Sequence, residues 1–159
     1  MELNPYARFL GDGEPMSVLS KTGERLGALI APLSAAEVNR IPAPGKWSIC
    51  QIISHLADCE LVFCFRLRQT LAEDHHIIQP FNQERWAERY DAYHIEHALA
   101  LFKAARTWNL RLIAITGDSD RHRPVTHPER GTMTFWTIVE TMAGHDVNHL
   151  QQVERLATR

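Results

Sequence analysis

An all-α fold, a four-helix bundle, is what this sequence predicts, on three observations. Four segments carry apolar residues at helical spacing, two of those segments open on capping signals, and β-branched residues never alternate with polar ones for long. Four amphipathic helices of comparable length bury their apolar stripes most economically against one another.

The first helix is expected over roughly Pro15 to Ala31. Proline suits its first turn, and Leu19, Thr22, Leu26 and Leu29 fall on one stripe, which Gly23 and Gly27 weaken. The second, roughly Ser48 to Leu71, has the strongest start: Ser48 caps, Gln51 completes a capping box, and Trp47 is placed to staple onto Ile52. The third is expected as one helix from about Gln83 to Thr116, with Trp86, Tyr90, His97, Leu101, Trp108, Leu112 and Ile115 at helical spacing and Gly117 as its stop. The fourth, roughly Thr134 to Ala157, opens on Thr134 as cap, with Met133 placed to staple onto Ile138. The turn-forming stretches 42–45, 73–80 and 117–131 read as connections. The one between the second and third helices is long enough to run the length of a helix, so those two helices can be parallel.

The chain of 159 residues is the size of one domain, expected over 1–159, with no internal repeat. Net charge is -2 and the only basic cluster is Arg121-His122-Arg123, so nucleic acid is not an expected partner. No apolar run spans a bilayer and no secretory signal precedes the first helix, so no membrane association and a cytoplasmic location are expected. Three cysteines, Cys50, Cys59 and Cys64, lie within fifteen residues of one predicted helix and suggest reduced thiols rather than a disulfide framework.

Chemistry concentrates in the histidines. On the fourth helix Phe135, Ile138, Met142, His145, His149, Gln152 and Leu156 step by three and four, so His145 and His149 sit within a core-facing stripe. On the second helix His55 lies in the stripe Ile52, His55, Cys59 and Val62. His55 lies seven residues past its cap, and His145 and His149 eleven and fifteen past theirs, so all three share about one angular position. Two imidazoles at i and i+4 with a third from a facing helix form a facial set of three nitrogens, leaving coordination positions open for chemistry. The residues alone leave two readings: metal ligands, or hydrogen-bonded core histidines. His97 and Cys59 are near enough in pattern to approach such a site, although a core role is the simpler reading for each. His75, His76, His122 and His127 fall in predicted loops, as do Arg121, Arg123 and Arg130, which are candidates to hold a substrate carboxylate.

Three stretches together resemble the DinB-like (YfiT-like) superfamily. They are Pro42-Ala43-Pro44-Gly45-Lys46-Trp47-Ser48-Ile49, continuing to Ser54-His55-Leu56-Ala57-Asp58; Ala143 to Gln152 with both histidines; and His127 to Thr132, with the start Tyr6 to Leu10 added. The resemblance implies a four-helix bundle whose metal is held by His55, His145 and His149. It also implies a metal-dependent S-transferase that joins a low-molecular-weight thiol to an electrophile. The implied cofactor is one divalent transition metal, with zinc or nickel ahead of iron; the implied partner is a small-molecule substrate, and a homodimer is compatible. No residue is singled out as catalytic. Three neutral imidazoles leave the cation its full charge, so it can bind a thiol as thiolate. A hydrolase using metal-bound water and a non-catalytic metal-binding bundle are the alternatives.

Overall fold

In a computed structural model describing residues 3–158, the order is α1 (Ala7–Leu10), α2 (Pro15–Ile30), α3 (Ala35–Asn39), α4 (Ile49–Ala72), α5 (Gln83–Ala87), a 3-10 turn (Tyr90–Ala92), α6 (Ile95–Ala114), α7 (Asp118–Arg121), β1 (Pro124–His127), β2 (Gly131–Thr134) and α8 (Phe135–Ala157). The four long helices α2, α4, α6 and α8 form the bundle, each packed on two others. No helix among the described residues is long and apolar enough to cross a membrane.

Directions follow from named contacts. Gln51 bonds Asp91 just ahead of α6, and Arg68 bonds Asn109 further along, so α4 and α6 run parallel. Gly23 and Gly27 face Lys103 and Leu99, which sets α2 antiparallel to α6. Arg25 pairs with Glu154, while Arg106 reaches both the Leu19 carbonyl and Asp146, so α2 and α8 run parallel. The segment from Glu73 to His94 therefore runs back along the bundle, and α5 and the 3-10 turn are built into it.

Both expected caps form: Ser48 accepts the Gln51 N–H in the expected capping box, and Thr134 accepts the Thr137 N–H, with Thr137 completing a box the sequence reading did not name. The predicted third helix is the main correction. It is interrupted between Ala87 and Ile95, so its expected stripe does not hold its phase: Trp108 and Ile115 are 66% and 80% exposed, and His97 faces outward. The buried face of α6 is Ile95, Ala98, Phe102, Arg106, Asn109 and Ile113. Arg106 and Asn109 hide this face from a reading based on apolar residues. α6 also ends before the expected stop, and Gly117 instead precedes α7. The second correction concerns 117–131: α7 opens that connection and an antiparallel hairpin fills the rest of it, with Val125 opposite Met133 and both buried.

The core comes in two apolar halves. One gathers Leu19, Phe63, Leu67, Ile113, Phe135 and Met142; the other gathers Leu26, Ile52, Leu56, Phe102, Leu150 and Val153. Between them lies a buried polar layer of His55, Glu60, Arg106, Asn109, His145, Asp146 and His149. A bundle core that carries this many polar groups must satisfy them internally or with a ligand.

Candidate metal centre

Each histidine is positioned by the device that starts its helix. The Ser48 box fixes the phase of α4 and turns His55 inward two turns later; the Thr134 box does the same for His145 and His149 on α8. Because α4 and α8 pack antiparallel, the three rings meet. Their centroids are 4.4 Å apart for His145 and His149, 4.9 Å for His55 and His149, and 5.1 Å for His55 and His145. All three are buried.

The sequence expectation thus finds its three histidines together. The tightest cluster nevertheless includes Cys59: ligand atoms of His55, Cys59 and His145 all lie within 4.8 Å of one another. The Nε2 atoms of His55 and His145 are 3.0 Å apart, and Cys59 Sγ is 3.5 Å from His55 Nε2. Tetrahedral zinc geometry sets ligand edges of about 3.3 Å between nitrogens and about 3.5 Å between nitrogen and sulfur. Both pairs are near those edges, so the residues fit a small divalent ion. Cys59 Sγ also lies 3.7 Å from His55 Nδ1, nearly equidistant from both ring nitrogens and so to the side of the Nε2 lone-pair direction.

His149 stands beside this cluster and is oriented by Gln152. Its Nδ1–H donates to Gln152 Oε1 at 3.2 Å, which leaves Nε2 as the lone-pair nitrogen, the arrangement typical of an imidazole ligand with a fixed tautomer. Burial, followed by repulsion from His149, holds His55 down at about 3. Burial holds His149 down at about 4, and the enclosed His145 lies well below the usual value. The three imidazoles are therefore neutral near pH 7, the form a metal requires. Burial pushes the Cys59 thiol up, which keeps it protonated.

Aromatic rings wall the cluster. Trp47 lies 4.9 Å from His55, Tyr6 meets His145 edge-on at 5.0 Å, and Phe63 lies 6.3 Å from His145. The Tyr6 contact depends on Gly144, where a Cβ would come within 2.5 Å of the Tyr6 carbonyl oxygen. Trp47 was expected only as a staple, and neither the Tyr6 edge contact nor the Gln152 bond follows from a sequence pattern. A cleft of about 630 Å³, lined by Lys46, Trp47, His149, Gln152 and Arg155, leads to His149 from the surface.

The remaining candidates disperse. His97 lines a separate cavity with His94 and Asp58. Arg121 stacks over Trp136, and Arg123 pairs with Asp74. His76 pairs with Glu73, and His122 lies beside Asp118. His75 takes a positive φ of 55° in the turn after α4. His127 is buried beside Arg130.

Fold and site together define a class: a helical bundle with an imidazole cluster, suited to a divalent metal, set into its core. A profile of the DinB superfamily matches residues 19–153, and the chain belongs to that superfamily. A relative from Oceanobacillus iheyensis, named "Putative metal-dependent hydrolase", is 32% identical over 168 aligned residues, covering 99% of this chain and 97% of its own. A relative of the same name from Geobacillus kaustophilus is 28% identical, covering 84% of this chain and 77% of its own. Among solved structures, YfiT from Bacillus subtilis, described as a probable metal-dependent hydrolase with an unusual four-helix bundle topology, superposes with a TM-score of 0.80. It covers 89% of this chain and 84% of its own at 20% identity, a likeness of fold.

Proposed function

We propose that this chain is a metal-dependent enzyme in which His55, His145 and His149 hold one divalent transition metal, and that it transfers a low-molecular-weight thiol to an electrophile. The observation that carries the reading is the convergence of three buried imidazoles, all held neutral. A cation bound there would stabilise the anionic form of a thiol or of water placed beside it. The chain's residues supply the rest. Gln152 fixes His149, Trp47 and Tyr6 exclude water, and the cleft admits a small molecule past Lys46 and Arg155.

Thiol chemistry is favoured over hydrolysis by where the carboxylates are. Glu60 and Asp146, the buried acids on the helices that carry the histidines, are both bound to Arg106, and Asp58 lines another cavity. None of these is placed to take a proton from water, whereas a thiol is acidic enough to ionise beside a cation without such a base. A reducing, cytoplasmic setting suits both a thiol substrate and three free cysteines. Hydrolysis is the second reading, supported by the names of the relatives.

Nitrogen ligation suits zinc, nickel or iron. Elemental analysis of untagged protein, never exposed to a nickel column, tests the first half of the proposal: one equivalent of metal is expected. For the second half, a thiol and an electrophile should be consumed together by metal-loaded protein. Turnover of esters or amides with no thiol consumed would replace it with the hydrolase reading.

A further inference from the structure

Two arginines that form no ion pair among the described residues line a small cavity together with Phe63. The half-buried Arg66, on α4, has an Nε–H that is enclosed and without a partner. Its guanidinium otherwise has only a 3.5 Å contact to the Gln79 carbonyl and the face of Phe81. Arg130, in the turn of the β-hairpin, is close enough to repel it. Among the described residues neither arginine forms an ion pair. An enclosed guanidinium donor without an acceptor, next to a second cation, costs free energy unless an anion offsets it.

The third group is His127. Its Nδ1 accepts the Glu129 N–H at 3.2 Å, so the ring proton is on Nε2 and available to donate. Arg66, Arg130 and His127 all line one cavity of about 20 Å³, whose remaining wall includes Phe63, Met133 and Thr141. That space admits the head of a molecule and not its body, about the room one water needs. Carboxylate and phosphate both pair bidentately with a guanidinium fork, and the small cavity favours the smaller, planar carboxylate head.

We infer that Arg66, Arg130 and His127 form a subsite for a small carboxylate whose head enters this cavity while its body stays outside. Phe63, which lines the cavity and stands 6.3 Å from His145, separates it from the histidine cluster. The subsite does not depend on the metal reading above.

Metal-free protein therefore tests the subsite alone. Propionate is titrated at constant ionic strength while the His127 ring resonances, present in every variant used, are followed by NMR. A saturable shift is expected with propionate and none with propionamide, and Arg130→Gln, in a surface turn, should weaken binding at least about tenfold. Arg66→Gln, checked for folding by far-UV circular dichroism, should do the same. Equal shifts from propionamide or chloride, undiminished binding by Arg130→Gln, or tighter binding of inorganic phosphate would each overturn the carboxylate subsite.

Discussion

The Nε2 atoms of His55 and His145 lie 3.0 Å apart although 90 positions separate them in the chain. Two neutral imidazoles at that distance either share one proton or share one cation, and the neighbouring His149, with its own Nε2 left free of a proton, favours the cation. His145→Ala and His149→Ala are each expected to lower metal affinity by at least about tenfold, while the helical far-UV signal stays largely intact. Full metal occupancy in both variants would end the idea.

Under the proposed function either Cys59 or His149 would be the third ligand, and cobalt distinguishes them. The Cys59 sulfur sits to the side of the His55 ring, so His149 is expected to complete the set. Cobalt-substituted protein without added thiol should then lack a sulfur-to-metal charge-transfer band, and Cys59→Ser should give the same spectrum and keep its metal. A band in the wild type that disappears in Cys59→Ser would transfer the ligand role to the cysteine.

Much of this was legible in the sequence because the helices that carry the three histidines announce themselves. Ser48 and Thr134 set the helical phase within a turn of each start, and the apolar stripe then dictates that His55, His145 and His149 face inward. The third segment was illegible for the converse reason: its inward face carries Arg106 and Asn109, whose buried role depends on partners from α4 and α8. The hairpin was missed because each strand is four residues long, too short for alternation to register. Tyr6 and Phe63 reach the cluster through packing between distant segments, which has no local pattern.

The depressed histidines give the metal-free protein a specific response to acid. An unfolded imidazole binds a proton near pH 6.5, whereas folded His149 and His55 resist protonation down to about 4 and about 3. The unfolded state thus takes up more protons as pH falls, so stability is fully present above about 6.5 and is lost as pH falls towards 4 and below, at about 1.4 kcal/mol per pKa unit per group. The urea midpoint should be flat from pH 8 to 7 and then decline, with a shallower decline in His149→Ala. A wild-type midpoint that holds steady from pH 7 to 4.5 would contradict the assignment of neutral, buried imidazoles.

Gly144 is where α1 meets α8. A methyl group there would come within 2.5 Å of the Tyr6 carbonyl oxygen and 2.8 Å of its Cβ, both of them atoms that move only with the backbone. Gly144→Ala should displace α1, cost about 1–3 kcal/mol in urea unfolding, and draw the Tyr6 ring away from the edge of His145. A variant with wild-type stability and an unchanged His145 ring resonance would show that the close approach is not maintained in solution.

Arg106 tests the polar layer as a whole. Its guanidinium donates to Glu60 at 3.0 and 2.7 Å, to Asp146 at 2.6 and 3.1 Å, and to the Leu19 carbonyl at 3.1 Å, so one side chain on α6 ties together α2, α4 and α8. Both carboxylates it holds are next in sequence to residues of the histidine cluster, Glu60 after Cys59 and Asp146 after His145. Arg106→Met would leave two buried carboxylates facing each other without a cation, a loss of about 3–5 kcal/mol. Replacing all three together by apolar residues of similar volume should recover most of that loss, because the expense comes from uncompensated charge and not from missing attraction. If register between α4 and α8 depends on this network, the recovered triple variant should still bind metal more weakly, since an apolar layer fills the space without fixing His55 opposite His145. Wild-type metal affinity in a stable triple variant would assign the network to stability alone; a single Arg106→Met variant of undiminished stability would mean the charges are not buried at all.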